Sequence, residues 1–209
     1  VEDVYPGSES KVALALAVGQ SAKRHLVAEY GIGEELQMNL FGWKDDHLAV
    51  IGQYDIGWGD NDDEDDRMER LGFAAHVMRR AWGCDSFTLL SEAFVSQKPD
   101  KTRDKSLSEE FGKGEGDVTE CLSIIHVEEE DDIHICAQPF DIEVGKKVVF
   151  GDVLHTDDTS LLRNNGFCDA LEECLDAGVI EHSEDWDRLR LEFSMTVADC
   201  AGWFIQYDL

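Results

Sequence analysis

The stretch TECLSIIHVEEEDDIHICAQPF, Thr119 to Phe140, reads as two strands facing each other across a run of acids. Apolar and β-branched residues alternate with polar ones on both sides of EEEDD. This predicts an antiparallel hairpin closed by a loop from Glu128 to Asp132. In that register Val127 opposes Ile133, Ile125 opposes Ile135, and His126 opposes His134 beside Ile124 and Cys136. A slip of one residue would turn every side chain to the other face and separate the two histidines, so their pairing depends on the loop closing at Glu128 to Asp132. A turn at Asp141 to Gly145 then leads into KVVFGDVLH, Lys147 to His155, which extends the hairpin to a three-strand meander.

Working back from the hairpin, FTLLSEAFVS, Phe87 to Ser96, is apolar on both faces, as a central strand should be. Before it, Met68, Leu71, Ala75, Met78 and Trp82 recur at steps of three and four, one face of a helix that Gly83 ends. Leu36, Met38 and Leu40 alternate with Gln37 and Asn39, and a Lys44-Asp45-Asp46 turn joins them to HLAVIGQYDI, His47 to Ile56, giving a second hairpin. The N-terminal helix carries Val12, Leu16, Leu26 and Val27 at roughly helical spacing, with a cap at Ser8 or Ser10 and a stop at Gly31 and Gly33. Further on, Leu161 to Asp176 reads as a helix around FCDALEECLDAG. RLRLEFSMTV, Arg188 to Val197, alternates like a strand with one wet face. The expected architecture is therefore α+β: a mostly antiparallel sheet packed by about three helices, in one domain spanning residues 1–209.

Between the central strand and the main hairpin lies a segment, 97–118, with Lys98, Lys101, Arg103 and Lys105 followed by Gly112, Gly114 and Gly116. A loop of that length inside a compact domain is expected to be functional or mobile.

With 18 basic and 46 acidic residues the net charge is -28, while 43% of residues are hydrophobic. The chain should fold, and its field opposes contact with phosphate, which excludes direct nucleic-acid and anionic-membrane binding. The same field attracts a basic protein surface, and it also serves simply to keep the molecule soluble. No run of 18 apolar residues is present, so no membrane span is expected. Six cysteines, Cys84, Cys121, Cys136, Cys168, Cys174 and Cys200, lie in apolar or strand-like contexts. They read as buried thiols in a reducing compartment, the cytoplasm.

Acids concentrate in two places. Asp60, Asp62, Asp63, Glu64, Asp65 and Asp66 form the first cluster, and Glu128, Glu129, Glu130, Asp131 and Asp132 the second. A calcium loop starting at Asp60 would need Gly where Asp65 stands and Glu where Leu71 stands, so the motif fails. Acids at a helix start face the positive end of the helix dipole, and Asp63 with Arg67 and Asp66 with Arg70 make acid-first pairs four residues apart. The first cluster is thus a helix start whose excess charge suits a basic partner.

His126, His134 and Cys136 are candidate zinc ligands if the register holds, and Glu92, a carboxylate within an apolar strand, could complete the set or act as a general acid or base. The plainer reading of Glu92 pairs it with Arg79 or Arg190, or leaves it on a wet face. HExxH, CxxC, GxSxG and Walker motifs are absent.

The order of parts from Met68 to Asp152, a helix ending at Trp82, LLSEAFVS, a charged loop, a hairpin ending in AQPF and a KVVFGD strand, resembles acidic proteins of actinobacterial and bacteriophage genomes. That resemblance implies a phage or mobile-element origin and no particular activity. The expected function is a non-enzymatic interaction protein whose acidic surface engages a basic protein, as a nucleic-acid mimic of phage type does. The alternatives are a metal-dependent hydrolase using Glu92, His126 and His134, and a structural component of a viral particle.

Overall fold

In the computed structural model, the structure describes residues 8–54, 64–96, 118–128, 132–155, 171, 174–175, 188 and 203–206. The elements are α1 (Ser8–Glu29), β1 (Met38–Lys44), β2 (His47–Tyr54), α2 (Glu64–Trp82), β3 (Ser86–Ser96), β4 (Val118–Glu128), β5 (Asp132–Glu143), β6 (Lys147–Phe150), β7 (Leu154–His155) and β8 (Trp203–Gln206). The strands form one sheet in the order β6-β5-β4-β3-β1-β2-β8, with β7 joined to β5. All of its pairings are antiparallel.

The main hairpin takes the expected register: Val127 pairs Ile133, Ile125 pairs Ile135 and His126 pairs His134. Its ladder runs one pair further than the spacing of the acids suggests, to Glu128 with Asp132. Glu128 therefore belongs to β4 and not to the loop.

The β1–β2 hairpin turns through Asp45 and Asp46, both at positive φ (48° and 63°). A two-residue turn with both residues left-handed matches the twist of the strands it joins, and aspartate tolerates that backbone better than most residues. β1 lies between β2 and β3, so the chain leaves β2, crosses β1 as α2, and returns as β3.

Alternation along the strands sends side chains to two covered faces. Leu40, Val50, Phe87, Leu89, Ile125 and Val127 pack with Leu71, Ala75, Met78 and Trp82 of α2. Phe41, Trp43, Leu90, Leu122, Ile124 and Phe140 pack with Val12, Ala15, Leu16 and Val27 of α1. The result is three layers, helix, sheet and helix. Gly42 marks the closest approach on the α2 side, where an added Cβ would stand 2.6 Å from Cys84 Sγ and 2.9 Å from Val50 Cγ1.

α2 ends where Gly83 takes φ 69° and its N–H bonds the Arg79 carbonyl at 3.0 Å. The Arg79 guanidinium then caps the carbonyl of Cys84 at 2.7 Å.

Several expectations are corrected. The described residues contain two helices with defined bounds rather than about three. Of FCDALEECLDAG only Leu171, Cys174 and Leu175 are described, and these are helical and buried on the α2 side. Asp141 is a strand residue, because β5 runs on to Glu143 before turning at Gly145 and Lys146. KVVFGDVLH is two strands, broken where Gly151 bonds Pro139 through its N–H and accepts from Gln138 through its carbonyl. Arg188 is helical, and the remainder of the expected strand to Val197 lies outside the described residues. The C-terminal strand that is described, β8, pairs β2. Residues 97–117 and Asp60 to Asp63 also lie outside them, whereas Glu64, Asp65 and Asp66 open α2 as a helix start. No described helix is long and apolar enough to cross a membrane.

Candidate functional site: a polar seam beneath the first helix

The buried line of α1 reads Lys11, Ala15, Gly19, Lys23, Val27, one residue every four. Two lysines thus point into the protein, 3% and 1% exposed, while Ala13, Leu14, Ala17 and Ser21 face outward. Gly19, midway between the lysines, lets the helix sit low on the sheet. A Cβ there would stand 2.9 Å from Leu90 Cδ1 and 3.1 Å from Leu122 Cδ1.

A buried ammonium is costly unless its hydrogens are matched to acceptors. Lys11 Nζ meets Glu128 Oε1 at 2.8 Å, Asp46 Oδ1 at 2.9 Å and Ser86 Oγ at 3.0 Å. One side chain therefore ties α1 to the β1–β2 turn, the start of β3 and the end of β4. Burial works to lower the Lys11 pKa, but Glu128 and Asp46 outweigh it and hold the ammonium above its ordinary range. Burial likewise works to raise Glu128, and Lys11 and His126 outweigh that and hold it below the carboxylate range.

From Glu128 a chain of hydrogen bonds runs back into the sheet. His126 Nε2 lies 2.9 Å from Glu128 Oε1, His126 Nδ1 lies 2.7 Å from Thr88 Oγ1, and Trp43 Nε1 donates to Thr88 Oγ1 at 2.9 Å. Its direction follows from the ends. An ionised carboxylate only accepts and an indole N–H only donates, so the hydrogen of His126 sits on Nε2 and Nδ1 accepts from the Thr88 hydroxyl. Burial holds the His126 pKa below the ordinary imidazole range, despite the opposing pull of Glu128. It is neutral at pH 7.

Hydroxyl, imidazole and carboxylate in this order make up a hydrolase triad. Here Thr88 and His126 are 0% exposed and the hydroxyl oxygen already accepts from Trp43. A nucleophile must reach a substrate carbon, and this one is sealed. The chain acts as a strut.

The second lysine makes a separate cluster. Lys23 Nζ meets Glu92 Oε1 at 2.8 Å and the Glu34 carbonyl at 2.9 Å, with Glu120 at 3.7 Å and the Phe140 ring centroid at 5.0 Å. The N–H of Leu36 donates to the same oxygen, Glu92 Oε1, at 2.9 Å, and Lys23 Nζ also reaches Oε2 at 2.9 Å. Burial raises the Glu92 pKa, opposed by Lys23 and by that N–H. Glu92 is thus neither on a wet face nor paired with Arg79, and Arg190 lies outside the described residues.

Glu92 stands four residues along β3 from Thr88, a separation of about 13 Å, so Glu92, His126 and His134 do not converge. The two histidines are neighbours, with ring centroids 6.3 Å apart. Both nitrogens of His126 are engaged and its ring is buried, while His134 is exposed. Cys136 is buried, and burial pushes its thiol up to about 11, away from the thiolate that zinc requires. Among the described residues no group of three or more His, Cys, Asp or Glu could hold a metal ion.

Of the two acidic clusters, Glu128 is turned inward. The side chains of the other ten acids are not described: Asp60, Asp62, Asp63, Glu129, Glu130 and Asp131 lie outside the described residues, and Glu64, Asp65, Asp66 and Asp132 are placed by backbone alone. Sequence reasoning missed Lys11, Lys23, Thr88 and Trp43. The lysines did leave a signal, since both fall on the line of Ala15, Gly19 and Val27. Thr88 and Trp43 left none, because their role depends on the β1–β3–β4 register. In comparisons with protein-family models, curated proteins and solved structures, nothing matches this chain.

Proposed function

We propose that the protein is a non-enzymatic acidic interaction module that binds a basic protein surface. The observation that carries this reading is the net charge of -28, which the cations buried in the fold do not offset at the surface. Of only 18 basic residues against 46 acidic ones, Lys11 and Lys23 are spent inside the fold. Each is paired there with an acid, Lys11 with Glu128 and Lys23 with Glu92, so the excess of acids stays on the rest of the chain, and such a field steers and holds a partner of opposite sign. Among the described residues, Thr88 and His126 of the chain to Glu128 and the Lys23–Glu92 pair are buried, which supports a binding role over a catalytic one. The finer reading is a nucleic-acid mimic of the kind phage inhibitors provide, acting in the cytoplasm. Cys84, Cys121 and Cys136 are buried free thiols, which supports a reducing compartment.

The test is binding of the full chain to a lysine-rich basic protein and to an acidic protein of similar size, by calorimetry from 50 to 500 mM salt. Binding confined to the basic protein, weakening steeply with salt, is expected. Replacing Glu64, Asp65 and Asp66 together by lysine should weaken it, and duplex DNA should compete for the basic protein. Salt-insensitive binding, or equal binding to the acidic control, overturns the reading.

A further inference from the structure

The chain from Trp43 to Lys11 has one permitted direction, and that direction depends on a single proton. Trp43 gives a hydrogen to Thr88, Thr88 to His126 Nδ1, and His126 Nε2 to Glu128, whose Oε1 also takes the Lys11 ammonium. No link can be turned around while the indole stands at one end and the carboxylate at the other.

We propose that this chain is a proton-operated latch, in which uptake of one proton at His126 Nδ1 releases the N-terminal half of α1 and the β1–β2 turn from the sheet. The atoms balance simply. The proton comes from water and occupies the lone pair that now accepts from Thr88. Two donors then face each other across 2.7 Å. The Thr88 hydroxyl has to rotate away, and its oxygen then receives from both Trp43 and His126 while its own hydrogen loses its acceptor.

The new charge is also badly placed. From α1, Lys11 already occupies the Glu128 oxygen that His126 uses, at 2.8 Å. From β5, His134 stacks on the ring. β1 offers only the indole N–H, and β3 offers Thr88, with Ser86 and Asp85 further along. Asp46, in the β1–β2 turn, reaches the site only through Lys11. Among the described residues Glu128 is thus the single anion in contact with His126, and two cations would share one of its oxygens. Competition between them loosens Lys11, whose three bonds are what hold helix, turn and strand ends together.

Burial, with Lys11 and His134 adding to it, keeps the imidazole neutral below its ordinary value of 6.5. The closed form therefore binds the proton less readily than the open form. As pH falls below that value the open form gains, by up to about tenfold per pH unit for one proton, until the closed form also titrates. The latch is independent of what the acidic surface binds.

The experiment uses the full chain labelled with ¹⁵N and ¹³C. The His126 ring, the Trp43 indole N–H and amide exchange in α1 are followed from pH 8 to pH 5, with exchange corrected for its intrinsic pH dependence. The expected result is an indole signal that moves with the His126 titration, and protection between Lys11 and Leu16 that falls by up to about tenfold per pH unit below 6.5 until the closed form titrates. His126→Gln should abolish that loss. Because this variant could fail to fold, Lys11→Met serves as the second: with the competing cation gone, the His126 midpoint should move upward. A wild-type His126 titration that leaves α1 protection unchanged, or a midpoint that stays or falls in Lys11→Met, overturns the proposal.

Discussion

Replacing Lys23 by methionine keeps the length of the side chain and removes its charge. The ammonium it removes is 1% exposed and lies 2.8 Å from Glu92, whose side chain is 8% exposed. What remains for Glu92 is the N–H of Leu36 at 2.9 Å. Breaking a buried pair from one side leaves an uncompensated charge and costs about 3–5 kcal/mol, and the loss over the Phe140 ring adds on the order of 0.5–1 kcal/mol. For a chain of this size the melting temperature should drop by about 7–24 °C.

The carboxyl has one escape, which is to take up a proton. Its pKa is already raised by burial and rises further without Lys23. A carboxyl that binds its proton more tightly in the folded state destabilises the fold above its folded pKa and relieves that penalty as pH falls. The variant should therefore lose more stability at pH 7.5 than at pH 5. In the double variant Lys23→Met with Glu92→Leu both charges are gone, and stability should return close to wild type. Urea titrations followed by tryptophan fluorescence measure all three proteins. A loss below about 1 kcal/mol in the single variant, typical of an exposed pair, or a double variant no better than the single, would refute the assignment of Lys23 and Glu92 as a closed pair.

Thr88→Val leaves His126 Nδ1 and the Trp43 indole without a partner in a dry site, at about 1–3 kcal/mol for each group, and denaturant midpoints should show it. Gly42→Ala would force Cys84, Val50 and Met78 apart where α2 meets β1, and overpacking of this kind costs about 1–3 kcal/mol. In contrast, Ala17→Ser on the outward face of α1 should change stability by less than about 0.5 kcal/mol. Cys84, Cys121 and Cys136 should resist alkylation at pH 8 until the protein unfolds, because they are buried and burial raises each thiol, Cys121 and Cys136 to about 11; peptide mass spectrometry of native and unfolded samples reads this directly.

How much could be read in advance depended on whether a residue's role was local. The pairing of Ile125 with Ile135 and of His126 with His134 was legible because alternation on both sides of one acidic run offers that register once the loop closes at the acids, and the structure takes it. The stripe Leu71, Ala75, Met78, Trp82 was legible for the same reason. Lys11 and Lys23 were not, because a charged residue in a helical pattern is normally assigned to the wet face. Here the acceptors that make burial tolerable come from residues 11 to 117 positions away in sequence. Glu92 was recognised as unusual, yet its partner lay on an element that no local pattern connects to β3. The zinc reading placed His126 and His134 correctly and failed on chemistry that only the tertiary structure supplies: both imidazole nitrogens were already committed.

The crossing of α2 over β1 bears on the order of folding. β1 and β2 meet through a two-residue turn, and β4, β5 and β6 through short ones, so each group can pair early and locally. The β1–β3 ladder, Asn39 with Leu90 through Trp43 with Ser86, must instead enclose β2 and α2. Closing a segment of that length carries an entropy cost that grows as about (3/2)RT ln n, and the two halves gain nothing from each other until it is met. This topology predicts that trimming the seam, as in Leu89→Ala, mainly speeds unfolding, whereas trimming the β4–β5 hairpin, as in Ile125→Val, mainly slows folding. Stopped-flow chevrons with the same pattern for both variants would sink this order of events. The β1–β3 ladder would then be the place where the molecule comes apart first, separating β1, β2 and β8 from the strands of the meander half.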